Sequence, residues 1–121
     1  MQKEPFEAQV HPENGVAVIE LLGEINATAE EALNQAYSQA SSHGHSAILL
    51  DFENVTYINS TGIALIVSLL AQARKSHISL VVYGLSDHYK EIFQITRLSD
   101  FMTIYPDEQS ALQELAAGQA G

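Results

Sequence analysis

The chain has 121 residues, 46% of them apolar, and is therefore long enough to bury the core of one domain without metal or disulfide support. It contains no cysteine, which excludes disulfides, thiol catalysis and thiolate metal sites. Fifteen acidic against five basic residues give a net charge of −10, which disfavours nucleic acids and anionic lipids as partners. Most of this imbalance lies in residues 1–60 and fits either a solubilising surface or a basic protein partner.

The N-terminal segment carries acids and no long apolar run, so no signal peptide or membrane span is predicted and a cytoplasmic location is the default. Residues 6–10 alternate and residues 16–22 are apolar, and Asn14-Gly15 lies between them. This pattern predicts a β-hairpin whose turn is set by Asn-Gly.

The next elements alternate between helices and buried strands. Thr28 and Glu31 form a capping-box pattern before apolar residues at helical spacing, which predicts an amphipathic helix that ends near Gly44. Residues 46–52 are uniformly apolar and short, as is typical of a central strand buried on both faces. A second helix begins at Ser60, and a strand follows at 78–84, which implies a parallel crossover.

The last elements are short. They are a helix capped by Ser86, a strand at about 102–105 and a helix that is capped by Asp107 and ends at Leu115. The predicted fold is therefore a single α/β domain over residues 1–115, with a frayed tail at 116–121. Its mixed β-sheet carries packed helices in the order β-β-α-β-α-β-α-β-α.

The segment Asn59-Ser60-Thr61-Gly62 places a hydroxyl where the second helix starts. Helix N-termini carry unpaired N–H groups and partial positive charge, so the fold would tolerate a phosphate on Ser60. The simpler alternative is that Ser60 only caps the helix. A nucleophilic serine needs a base within hydrogen-bond reach, and none is close in sequence, so no catalytic residue and no enzyme activity are predicted.

The second helix is predicted to have two apolar faces. One face, formed by Ile63, Ile66, Val67, Leu70 and the stem of Arg74, is expected to lie on the sheet. Leu65 and Leu69 fall nearly opposite, with Gly62 beside them. Either another part of the domain covers these two leucines, or they form a partner groove next to Ser60.

Other chemistry has little support in the sequence. Of the five histidines, only His43 and His45 are close, and no acid lies near them, so no metal site is expected. The chain has no phosphate-binding loop, no dinucleotide fingerprint and no nucleophile elbow, so no cofactor is expected. Ligand binding at the mouth between strand and second helix stays a weaker alternative.

Two segments, Gly23 to Glu30 and Asp51 to Gly62, resemble the hallmark stretches of STAS domains, in particular bacterial anti-sigma factor antagonists. The region from Leu85 to Phe101 is similar to that family as well, so the resemblance covers nearly the whole chain. Many phosphorylated members carry Asp where this chain has Asn26 and Asn59.

The resemblance implies a transcription regulator that binds an anti-sigma factor which is also a serine kinase. It implies phosphorylation at the serine that aligns with Ser60, release of the partner, and a serine phosphatase that resets the cycle. The partner-binding residues that it and the helix pattern imply are Asn26, Asn59, Ser60, Thr61, Gly62, Leu65 and Leu69. The alternative is a non-switched STAS scaffold subunit of a signalling or lipid-transport complex.

Overall fold

The predicted order of strands and helices is confirmed. The computed structural model describes residues 6–13, 15–42, 44 and 46–120, with side chains described as far as residue 115. Asn14 of the predicted turn and the pair His43 and His45 lie outside the described residues. The strands are β1 (Glu7–Glu13), β2 (Val16–Ile25), β3 (Ala47–Ile58), β4 (Ser79–Tyr83) and β5 (Ile104–Tyr105). The α-helices are α1 (Glu30–Ser41), α2 (Ser60–Lys75), α3 (Asp87–Ile95) and α4 (Glu108–Ala120).

The five strands form one mixed sheet in the order β1-β2-β3-β4-β5. The β1–β2 hairpin is antiparallel, and every later neighbour pairs in parallel. Each parallel connection runs through a helix, as parallel strands require. β3 is the longest strand and lies at the centre, but β4 pairs only with its first part, from Ala47 to Asp51. The rest of β3 extends beyond β4 and carries the chain to the start of α2.

The two faces of the sheet are covered unequally. Apolar side chains from α1, α2 and α3 share one core cluster with inward-facing residues of β2, β3 and β4. On the other face, Ala111 and Leu112 of α4 pack on Val16, Val18 and Leu49. Every side chain of β3 from Ala47 to Phe52 is thus buried, which explains why this stretch is almost continuously apolar, with Asp51 as its one charged member.

Several helix ends follow the predicted capping. Ser86 accepts a hydrogen bond from the backbone N–H of Tyr89, and Asp107 accepts one from the backbone N–H of Ser110. α1 ends at Ser41, close to the predicted end, and α4 continues to Ala120, beyond the predicted end at Leu115.

The predicted capping box at the start of the first helix is wrong. Asn26, not Thr28, provides the side-chain cap, and it caps a 3-10 turn at Ala27–Ala29 that precedes α1. Its carboxamide oxygen accepts hydrogen bonds from both the backbone N–H and the hydroxyl of Thr28, at 2.9 and 2.6 Å. The hydroxyl that was expected to cap α1 is therefore already used within this turn.

The predicted sheet-facing side of α2 is also wrong in part. The buried residues are Gly62, Ile66, Leu69, Leu70 and Ala73, whereas Val67 is 46% exposed and Arg74 is also exposed. Leu69 is only 1% exposed and belongs to the core, so it is not available to a partner. Leu65 is partly buried against the same cluster. The missing Cβ of Gly62 leaves room for the carbonyl oxygen of Ile25 and for Ile58, so α2 approaches the sheet closely on this side.

Candidate functional site

The candidate site lies at the point where two loops meet, the one after β2 and the one after β3. The backbone N–H of Asn59 donates to the carbonyl of Ile25 at 3.2 Å, which joins the ends of the two parallel strands. Asn26 directly follows β2 and Ser60 directly follows Asn59. The structure thus brings the two predicted hallmark segments together, as neighbouring parallel strands bring their carboxyl ends to one edge of a sheet.

Asn59, not Ser60, caps α2. Its side-chain oxygen accepts a hydrogen bond from the backbone N–H of Gly62 at 2.8 Å, and its backbone is extended, as an N-cap requires. Ser60 is the first residue of the helix and is exposed. Its hydroxyl makes no hydrogen bond to any described residue, so the alternative that Ser60 merely caps the helix is wrong.

Gly62 is the point of closest contact between α2 and the loop after β2. A Cβ placed there would overlap the carbonyl oxygen of Ile25 and would lie 2.9 Å from Cγ2 of Ile58. Only glycine fits this position without movement of the backbone. Gly62 is buried, so its role in the site is to bring Ser60 and Thr61 next to Ile25 and Asn26, not to contact a partner through a side chain.

Asn26 is held by hydrogen bonds that use both ends of its carboxamide. Its Nδ2 donates to Oε1 of Glu24 at 2.9 Å, while its oxygen accepts from Thr28. An aspartate could accept from Thr28, but it could not donate to Glu24. The amide is therefore part of the local structure of this loop, in a position where a carboxylate would face another carboxylate.

Tyr89 of α3 is a positioning residue that the sequence did not reveal. Its hydroxyl accepts a hydrogen bond from the backbone N–H of Ile58 at 2.9 Å and lies 3.4 Å from the Ile58 carbonyl oxygen. Because β4 does not extend this far along β3, no strand on that side can satisfy these groups. The hydroxyl of Tyr89 pairs with them instead, and it fixes the end of β3 one residue before Asn59, the N-cap of α2.

The charge around Ser60 favours an added anion. The first turn of α2, which begins at Ser60, contains no acidic residue, and the N–H groups of a helix N-terminus carry partial positive charge. A phosphate on Ser60 would add about −1.5 to −2 charges at this positive end of the helix.

Possible metal-binding and ligand-binding features lie on other residues of the described chain. The described residues contain one group with metal-binding geometry, formed by His11, Glu13 and Glu108, whose ligand atoms lie within 4.8 Å of one another. It lies on β1 and α4, which contribute nothing to the Ser60 site. A cavity of about 120 Å³ lies beside Tyr89, and one of about 520 Å³ is lined by residues of β2 and β3 that include Gly23, Asn54 and Thr56. The larger one falls within the range of roughly 300–1,000 Å³ that is typical of small-molecule sites. Within the described part of the chain, no helix has the length and apolar character needed to cross a membrane.

Comparison with known proteins agrees with the resemblance of the hallmark segments. The family model described as the STAS domain matches residues 6–111. The anti-sigma-B factor antagonist of Staphylococcus aureus is 30% identical over 82 residues, which cover 68% of this chain and 76% of that protein.

Solved structures show the same fold. An anti-sigma factor antagonist from Mycobacterium paratuberculosis superimposes with a TM-score of 0.79 at 22% identity, covering 91% of this chain and 93% of that one. The phosphorylated form of the Bacillus cell fate determinant SpoIIAA superimposes with a TM-score of 0.68 at 21% identity, covering 92% and 99%.

Proposed function

The chain belongs to the STAS domain family, and from this premise we propose that it is an anti-sigma factor antagonist whose binding to a serine-kinase anti-sigma factor is switched off by phosphorylation of Ser60. A serine phosphatase would return the phosphorylated protein to its binding form. The protein itself would act by binding and would catalyse no reaction.

The observation that carries the proposal is the free, exposed hydroxyl of Ser60 at the first position of α2. Asn59 already caps the helix, so the fold makes no demand on this hydroxyl. A kinase could therefore reach and modify it without disturbing a native hydrogen bond.

The electrostatics of the helix end support a switch that acts on the partner and leaves the fold intact. A negative group in the first turn of a helix stabilises it by about 0.3–1 kcal/mol. The same phosphate, placed within a contact surface, would bring about −1.5 to −2 charges that must be desolvated on binding. Phosphorylation is thus expected to weaken the complex while the free domain keeps its structure.

The proposed contact surface is smaller than the sequence suggested. It consists of Asn26, Asn59, Ser60 and Thr61, with the partly buried Leu65 one turn further along α2. Gly62 lies beneath this surface and Leu69 lies in the core, so neither offers a side chain to the partner. The named relatives support the class of partner: one is an antagonist of an anti-sigma-B factor, and one fold neighbour exists in a phosphorylated form.

A phosphorylation assay tests the proposal. The protein is incubated with ATP and a lysate of its source cells, and the intact chain is weighed by mass spectrometry. We expect the addition of one phosphate in the wild type and in Ser68→Ala, which removes an exposed hydroxyl of α2 outside the proposed contact surface, but none in Ser60→Ala. Absence of the phosphate in the wild type, with a known substrate of the same kinase class modified in parallel, would contradict the switch.

A non-switched scaffold is the second candidate, and Asn26 favours it. The carboxamide of Asn26 is fixed by Glu24 and Thr28, where many phosphorylated members carry a carboxylate. The affinity of Ser60→Asp for the anti-sigma factor separates the two functions. A switch predicts at least tenfold weaker binding, equivalent to about 1.4 kcal/mol, whereas a scaffold predicts an unchanged affinity.

A further inference from the structure

An apolar groove lies along the second half of α2, away from Ser60. It has a volume of about 330 Å³ and is lined by Val67, Leu70, Ala71 and Arg74 of α2 and by Phe101, which follows a 3-10 turn at Leu98–Asp100. The four α2 residues are spaced i, i+3, i+4 and i+7, so they form one continuous stripe on the helix.

Two of the apolar side chains that line this groove are exposed to solvent. Four large apolar side chains are exposed in the described part of the chain, and two of them, Val67 at 46% and Phe101 at 54%, line the groove. Leu70 is buried and forms its floor. An exposed apolar concavity of this kind marks a binding surface more often than a scattered exposed residue does.

The charge at the groove is positive, in contrast to the rest of the protein. The guanidinium of Arg74 lies 4.9 Å from the ring centroid of Phe101, in a cation–π arrangement. Two other basic residues each have an acidic partner, since Lys90 pairs with Asp87 and Arg97 with Asp100. Arg74 and the next residue, Lys75, have no carboxylate partner among the described residues.

The helix dipole alone does not explain this arrangement. Cations near a helix C-terminus interact favourably with the last carbonyl groups, which accounts for Lys75. The guanidinium of Arg74 instead lies over an aromatic ring at the wall of the groove, where its planar fork is available to a carboxylate from another molecule.

We propose that this groove binds an acidic amphipathic helix of a partner protein. The apolar side of that helix would cover Val67 and Phe101, and a carboxylate on its rim would pair with Arg74. Such binding follows the general helix-in-groove mode, in which apolar anchors at helical spacing fill a groove and flanking charges set orientation. It goes beyond the Ser60 switch and does not depend on it.

Two designed peptides test the proposal. Both carry leucines at i, i+3, i+4 and i+7 of a helix. In one peptide the positions on either side of this leucine stripe are glutamates, and in the other peptide the same positions are lysines. Binding to the full chain is followed by fluorescence anisotropy. We expect the acidic peptide to bind at least tenfold more tightly than the basic one, and Arg74→Glu to reverse this preference.

Two variants locate the binding site. Phe101→Ser is expected to weaken binding of the acidic peptide at least tenfold, whereas Ile95→Ser, which removes another exposed apolar side chain outside the groove, should leave it unchanged. As a control, urea unfolding of both variants tests whether they remain folded. No binding of the acidic peptide, equal binding of both peptides, or equal effects of the two substitutions would overturn the proposal.

A second copy of the chain is the other possible occupant, and sedimentation velocity identifies it. If the wild type is a dimer that Phe101→Ser dissociates, the groove is a self-association surface and the proposal of an acidic partner helix is wrong.

Discussion

The contact at Gly62 allows a stability prediction to be worked out from the structure. In an open helical position, Gly→Ala would stabilise the protein by up to about 1 kcal/mol, because glycine has the poorer helix propensity. At Gly62 the new methyl group would overlap the carbonyl oxygen of Ile25 and come within 2.9 Å of Cγ2 of Ile58. Overpacking of this kind costs about 1–3 kcal/mol, and here the upper end applies because the obstacle is backbone.

The net expectation for Gly62→Ala is therefore a loss of about 2 kcal/mol in the free energy of unfolding. The carbonyl of Ile25 also accepts the hydrogen bond from the backbone N–H of Asn59. Displacement of this carbonyl should therefore weaken the hydrogen bond that links the two loops of the site. Urea denaturation followed by circular dichroism measures the loss, with the slope of the transition checked for two-state behaviour.

Ala64→Gly is the matched control. Ala64 is exposed on the same helix, so its substitution tests helix propensity alone and should cost about 1 kcal/mol. If Gly62→Ala stabilised the protein by about as much as Ala64→Gly destabilises it, propensity would be the only effect, and the argument from close contact would be refuted.

Three further predictions concern Asn59, which caps α2, Tyr89, which bonds to the end of β3, and the buried phenol of Tyr83. Asn59→Ala should lower the free energy of unfolding by about 1 kcal/mol in urea, whereas Asn59→Asp, which keeps the acceptor, should change it little. Tyr89→Phe should cost about 1 kcal/mol and speed hydrogen exchange of the Ile58 amide, because that N–H loses its acceptor. Burial, and then the hydrogen bond and charge of Asp51, raise the pKa of Tyr83, so the contribution of this phenol to stability should be constant below about pH 10 and be lost above it. Tyr83→Phe should make this alkaline fall less steep.

Each of these three has a clear contrary result. Equal losses in Asn59→Ala and Asn59→Asp would mean that the side-chain acceptor does not cap α2. Unchanged exchange at Ile58 in Tyr89→Phe would mean that water replaces the phenol. For Tyr83, the sign follows from proton binding: the unfolded chain releases the proton first, so rising pH favours unfolding, and a stability that rises with pH in this range would contradict the assignment.

The sequence predicted the sheet and the order of elements because its signals there are local and strong. The first half of strand β3 is buried on both faces because helices cover both sides of the sheet there, and the caps at Ser86 and Asp107 act within three residues. Ser60 could be placed at a helix start for the same reason, since the strand, the short polar segment and the helix follow one another directly.

The predictions failed where tertiary packing, and not the order of apolar and polar residues in the sequence, decides which side chains are buried. The stretch from Ile63 to Leu70 is almost uniformly apolar, so periodicity cannot distinguish its buried side from its exposed side. The small residues Gly62 and Ala73 lie on the buried side of α2, and they carry little weight in a count of large apolar side chains. The role of Tyr89 depends on the difference in length between β3 and β4, which only the assembled sheet reveals.

The length of α2 sets a distance between its two ends that a partner must match. From Ser60 to Arg74 the helix advances about 21 Å, at roughly 1.5 Å per residue. An ordinary protein interface covers about 800 Å² on each side, a patch about 30 Å across, and so is wide enough to span both ends. This distance limits which partners can reach both places. A globular partner can contact Ser60 and the groove at once, whereas a short peptide can occupy only one of them.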